Sequence, residues 1–420
     1  MKQYLLSNIF TRVLCNVLNF ILALIITRYY GAIGKGEFTY ILTLITFVGF
    51  FSNIFSSNSL IYSYAKNSFK TIYFTSITWI AIVCSLEFVF LRLFIVGSNE
   101  YLFHISILTF FQAIFGLLSA VLLANQEIKK YNTLSIIYII SNLLIIVFMI
   151  FGINRMGLGS IIIMMYCSSI ISILIAIYLS KDIIKTNVIG YNMEEIKLIL
   201  SHGYKYQLFD FLQFMMLRFS FFLLYQFEGK ISLGVFSIGL SLIESIWIVS
   251  RSSATLNYIQ VANSENNIEQ SKQTLKTLKI SVLISIILVS IIFLMPTEVY
   301  TFIFGSSCKV LKHYIRWLIP GAIAYPIFIV LSSYFLGKGR IDLNIIACGL
   351  GAFISIFMGY FLIVRYEMTG TAFTMSISFI VCSLFLLYQF YKNNNFTLSD
   401  LLVNKKDIQE FLLLVKKTIS

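Results

Sequence analysis

Charged side chains are scarce in this chain. Asp, Glu, Lys and Arg make up 12% of its 420 residues, where an ordinary soluble protein has ~25%. Most of that charge falls in short clusters. Between the clusters lie runs long enough to cross a bilayer, which takes about 20 apolar residues per helix. With 59% hydrophobic residues and a mean hydropathy of +0.88, a soluble fold is excluded, because it has nowhere to bury so much apolar surface. Histidine is nearly missing: His104, His202 and His313 are the only three. None stands at ligand spacing from another His or a Cys, so no metal site is expected. The cysteines Cys15, Cys84, Cys167, Cys308, Cys348 and Cys382 form no CxxC pair, and five of the six fall in apolar runs as small packing residues. No small-residue cleavage site is evident near the first run, so no cleavable signal is expected. Sustained period-2 alternation is lacking too, which speaks against a membrane β-barrel.

What is present reads as an all-α integral membrane protein with about twelve spans. They fall near 9–29, 38–60, 72–96, 101–123, 134–153 and 160–179, then 206–227, 233–254, 280–295, 317–336, 344–363 and 371–391. With the N-terminus inside, 19 of the 31 Lys and Arg lie in inner segments and 7 in outer ones. Both termini are therefore expected in the cytoplasm. The net charge of +13 follows from that bias and from contact with anionic lipid, not from nucleic-acid binding. Two stretches, 192–200 and 400–415, read as amphipathic helices on the inner leaflet.

The chain repeats itself. Gly31, Gly36, Phe38 and Leu42 recur as Gly229, Gly234, Phe236 and Leu240 at an offset of 198 residues. Gly159-Ser160 and Met164 recur as Gly370-Thr371 and Met375 at an offset of 211. Two pseudo-symmetric six-helix lobes follow, residues 1–190 and 191–400, around a central cavity, with a cytoplasmic tail at 401–420. Six spans is an even number, so both lobes point the same way.

Charge inside a span costs ~2.5–3.5 kcal/mol and needs a reason. Arg28 and Arg92 lie near helix ends and can snorkel. Glu87 has no partner legible from its neighbours. The other five gather in the first, seventh and eighth spans. Asn8, Arg12, Asn16 and Asn19 form one stripe; Gln207, Asp210 and Arg218 a second; Ser241, Glu244 and Arg251 a third, with Trp247 nearby. At 1.5 Å per residue, Asp210 with Arg251 and Arg218 with Glu244 fall at matching depths, as two rungs across one hairpin. Such rungs serve either as a static ladder for insertion and packing or as parts of a transport path. Pro320 and Pro326 in the tenth span break its hydrogen-bond ladder locally, as a hinge or a packing kink.

The block Gly31–Tyr40 resembles the Gly-x-x-x-x-Gly-x-[Tyr/Phe] turn after the first helix of polysaccharide flippases. The region from Gly203 to Pro320, with Arg218, the Gly229–Gly234–Phe236 turn and the Glu244–Arg251 helix, is similar to their second half. Residues 366–372 resemble their GxxGxA before the last helix, with Glu367 where the first Gly would be. The chain departs from the family at Ser220, where Asp often stands, and at Tyr204-Lys205, where Pro often stands. The family is the Wzx-type polysaccharide (O-antigen or capsule repeat-unit) transporters of the MOP superfamily, which also holds the MATE exporters and the lipid II flippase.

That resemblance implies a flippase, not an enzyme, working in O-antigen and lipopolysaccharide assembly. By alternating access it would move undecaprenyl-diphosphate-linked oligosaccharides from the inner to the outer leaflet of the bacterial inner membrane. Arg12, Asn16, Asn19, Arg218 and Arg251 would contact diphosphate or sugar, Arg12 first among them, because arginine's fork and permanent charge suit phosphate. Asp210 and Glu244 would release the arginines or couple to an H⁺ or Na⁺ gradient. No cofactor is expected; anionic lipids and other assembly proteins are the expected partners. Two other readings stand beside it. One is a MATE-like drug or ion exporter, whose cavity would carry unpaired acids. The other is an O-antigen polymerase or ligase, which would need a larger external loop than 296–316.

Overall fold

The computed structural model describes residues 2–54, 69–94, 99–154, 157–185, 193–264 and 266–394. The expected tail at 400–415 and the end of the second span lie outside these. Among the described residues the regular elements are all helical. In chain order they are α1 (Lys2–Ser52), α2 (Phe69–Phe94), α3 (Asn99–Ala124), α4 (Ile128–Phe151), α5 (Leu158–Lys185), α6 (Met193–Asn263), α7 (Asn267–Leu294), α8 (Thr297–Phe304), α9 (Leu311–Gly337) and α10 (Ile341–Asn394), with a 3₁₀ turn at Ser306–Cys308. Eight of them are long and apolar enough to cross a membrane; α2 carries a shorter apolar stretch, Tyr73–Val89.

Three helices are broken by one residue each. Gly31 in α1 has φ 68° and ψ −172°, and Gly229 in α6 has φ 78° and ψ −172°. Only glycine adopts this backbone readily, and it recurs at the same offset of 198 that the sequence repeat shows. The third break, in α10, falls on Glu367, with φ 54° and ψ −133°. Three residues on, Gly370 is pressed against the helix before the break. A Cβ there would lie 2.0 Å from the Leu362 carbonyl oxygen.

The amphipathic stretch expected at 192–200 is not a separate surface helix. From Met193 it runs into the following span as one helix; no proline interrupts 200–206, and Ser201 and Gly203 are carried inside the helix. Helix α7 likewise starts at Asn267, well before 280. The Asn266 side chain accepts from the backbone N–H of Ile268 and Glu269 and caps it.

The chain divides into two compact units, Met1–Phe211 and Leu212–Ser420. In the first, α5 presents Ser168, Ser172, Ala176 and Ser180 at four-residue spacing, all fully buried. Small residues let helices approach closely where no hydrophobic effect drives them together. Ser168 Oγ donates to Asn142 Oδ1 of α4 at 2.9 Å. In the second unit, Gly351 packs so tightly that a Cβ would meet Cys382 Sγ at 2.5 Å and Met216 Sδ at 2.6 Å. Beside it Ser355 Oγ bonds the Met216 carbonyl at 3.1 Å and lies 3.0 Å from Ser378 Oγ. Of the six cysteines, Cys84, Cys308, Cys348 and Cys382 are buried, Cys15 is half-buried and Cys167 exposed.

Candidate functional site

The Gly229 break turns α6 into two segments that carry charge at membrane depth, and one expected rung forms between them. Arg218 Nη2 donates to Glu244 Oε1 at 2.7 Å, with about a quarter of each side chain exposed. The Arg218 guanidinium also lies 4.9 Å from the Phe221 ring centre. The second expected rung would join residues of two different compact units. Asp210 is half-buried, Arg251 is exposed, and neither makes an ion pair among the described residues.

An aromatic cluster is built around Trp247, three residues past Glu244. Trp247 is fully buried, 4.2 Å from the Tyr325 ring centre and 5.5 Å from Phe379. Tyr325 stacks on Phe328 at 5.4 Å, and its hydroxyl accepts from Gln213 Nε2 at 3.2 Å. Arg251 and Glu244 both act electrostatically on that hydroxyl. Trp247 also meets a need that Pro326 creates. Proline has no N–H, so the carbonyl four residues earlier, Ala322, loses its helical donor. Trp247 Nε1 supplies it at 3.1 Å. Helix α9 accordingly runs through both prolines without a non-helical residue.

In the first unit the polar stripe of α1 carries Arg12 and Asn19 exposed and Asn16 half-buried. Arg12 makes no ion pair among the described residues. Arg12 and Asp210 stand equally far before Gly31 and Gly229, so the repeat places opposite charges at equivalent positions. Glu87, for which the sequence offered no partner, is buried and accepts from Thr109 Oγ1 of α3 at 3.1 Å. Thr109 gives no sequence signal, since a threonine on an apolar helix more often bonds its own backbone. Gln112 of α3 bonds the Tyr138 hydroxyl, and His104 Nδ1 lies 3.1 Å from the Tyr166 hydroxyl. Among the described residues no three of His, Cys, Asp and Glu gather closely enough to hold a metal ion.

No family model and no curated protein matches this chain. Solved structures do. An inward-facing multidrug-resistance MATE transporter of the MOP superfamily aligns with a TM-score of 0.70 at 14% identity, over 90% of this chain and 94% of its own. The lipid II flippase MurJ, in an inward closed conformation, aligns at 0.68 and 16% identity, over 96% of this chain and 89% of its own. A MOP superfamily transporter from Pyrococcus furiosus, described as having a binding pocket of reverse polarity, aligns at 0.61 and 15% identity, over 93% of each chain. The chain therefore has the all-helical fold of the MATE and MOP-superfamily transporters.

Proposed function

We propose that this chain is a Wzx-type flippase. It carries undecaprenyl-diphosphate-linked oligosaccharide repeat units across the bacterial inner membrane, with twelve crossings and both termini in the cytoplasm. The observation that supports this reading best is the Arg218–Glu244 pair, held at 2.7 Å on the broken helix while Arg12 and Arg251 make no ion pair among the described residues. Arginine is the side chain suited to a diphosphate: its planar fork gives two parallel charge-assisted bonds, and its charge cannot be lost. Glu244 keeps Arg218 neutralised while the path is empty. An arriving diphosphate competes for the same guanidinium, and the exchange of partners gives the ligand a differential hold on two states, which alternating access requires. Asn16 and Asn19 offer neutral donors and acceptors suited to sugar hydroxyls.

Deletion in the host tests the reading. Lipid-linked repeat units should accumulate on the cytoplasmic face and disappear from the outer face, and unchanged sidedness with lost drug tolerance would favour a MATE-like exporter. Restoring the gene with Arg12→Ala should give normal protein abundance and lose most of the transport. Arg12→Lys should recover only part, since a point charge lacks the fork. Normal transport by Arg12→Ala would make Arg12 an ordinary anchor to inner-leaflet phosphates.

A further inference from the structure

The break at Glu367 opens a hollow in the second unit. Trp317 of α9 and Leu362, Tyr366, Thr369, Gly370 and Phe373 of α10 line a cavity of about 340 Å³ with a wall of almost entirely apolar atoms. Trp317 and Phe373 meet edge to face at 5.8 Å. Trp317, Tyr366 and Phe373 are all exposed, as tryptophan and tyrosine are at the level of lipid headgroups. Arg316 and Arg365 are each next in sequence to a lining residue, and Lys309 and Lys312 precede Arg316; these are four of the seven basic residues on segments read as outer. The positive-inside bias should leave that side poor in Lys and Arg. Residues 297–394 are described without a gap, and none of these four makes an ion pair among the described residues. Arg316 sits 5.9 Å from the Phe293 ring centre and Arg365 5.7 Å from Tyr366, each next in sequence to a lining aromatic. Glu367 and Glu298 are the nearby acids in sequence, and Glu367 acts electrostatically on Glu228.

We infer that this hollow is a binding site for an anionic membrane phospholipid. One acyl chain fills the apolar cavity, and the phosphate is held at the rim by Arg316 and Arg365. Aromatic walls at headgroup depth fit a lipid chain entering from the side. Unpaired arginines against the expected charge bias fit its phosphate. The site needs nothing from the transported molecule.

The protein has three tryptophans, Trp79, Trp247 and Trp317. Of the other two, Trp247 is fully buried and Trp79 bonds the Phe51 carbonyl at 2.8 Å. The full chain is reconstituted in phosphatidylcholine vesicles containing either brominated phosphatidylglycerol or brominated phosphatidylcholine. The Trp317 signal is isolated by subtracting Trp317→Phe. Brominated phosphatidylglycerol should reach half-quenching at a mole fraction about fivefold lower than brominated phosphatidylcholine, the advantage of roughly one basic side chain at an anionic surface. Arg316→Gln with Arg365→Gln should bring the two lipids level. Thr369→Phe, which fills the cavity, should protect Trp317 from both. Equal quenching by the two lipids in the unaltered protein marks ordinary boundary contact and overturns the site. A preference that survives the arginine pair's removal overturns the role of the rim.

Discussion

Arg218 and Glu244 show what one ion pair does inside a membrane fold. At 2.7 Å, with roughly a quarter of each side chain exposed, neither charge can be removed without stranding the other in low dielectric. Truncating one partner of a fully buried pair costs ~3–5 kcal/mol, while removing both is far milder. For this half-shielded pair, Arg218→Ala or Glu244→Ala should each cost about 2–3 kcal/mol of stability, and the double variant clearly less than their sum. Thermal unfolding of the purified protein reads the cycle, and additive losses would mean that the side chains do not meet in solution. The pair was legible before the fold because both residues fall at matching depths on the two spans of one hairpin. Asp210 and Arg251 passed the same depth test but belong to different compact units, a division that helical rise does not encode. Glu87 with Thr109 was illegible for another reason: its partner lies on a different helix and carries no charge.

Among the elements, the breaks decide the architecture. Gly31 and Gly229 could be read in advance because glycine names its own backbone freedom, and their ψ angles coincide at −172°. Glu367 could not, because glutamate carries no such signal; only its place in a GxxGxA-like phrase hinted at it. A non-glycine residue at φ 54° stores strain of ~1–3 kcal/mol. Glu367→Gly should therefore raise the unfolding temperature, by relief of about 1 kcal/mol once glycine's greater unfolded entropy is subtracted. Gly370→Ala should lower it sharply, since the new Cβ would lie 2.0 Å from the Leu362 oxygen. Equal, small effects of the two changes would place the break elsewhere. Helix α9 makes a second case. Trp247→Phe leaves the Ala322 carbonyl without the donor at 3.1 Å, which should cost ~1–3 kcal/mol. Adding Pro326→Ala returns a backbone N–H to that carbonyl and should recover much of the loss. A double variant no more stable than Trp247→Phe would show that the indole contributes only by packing.

For the whole molecule, the repeat and the charge bias make one claim about direction. If each half contains an even number of crossings, equivalent positions of the repeat face the same side of the membrane. Ile33 and Ile231 are such positions, 198 residues apart, just past the two glycine breaks, and both are exposed. Lys130 is half-buried and Lys276 exposed, and both lie in segments counted as inner. The background for labelling is simple: Cys84, Cys308, Cys348 and Cys382 are buried, so replacing Cys15 and Cys167 by serine removes the accessible thiols. In that background, Ile33→Cys and Ile231→Cys should react with a membrane-impermeant maleimide added to intact spheroplasts. Lys130→Cys and Lys276→Cys should react only after permeabilisation. The reverse pattern would invert the orientation and with it the leaflet from which cargo enters. A split result, with Ile33 and Ile231 on opposite sides, would be more damaging. It would make the halves inverted repeats, related by an axis in the membrane plane, and the matched glycine breaks would then lie on opposite faces of the bilayer.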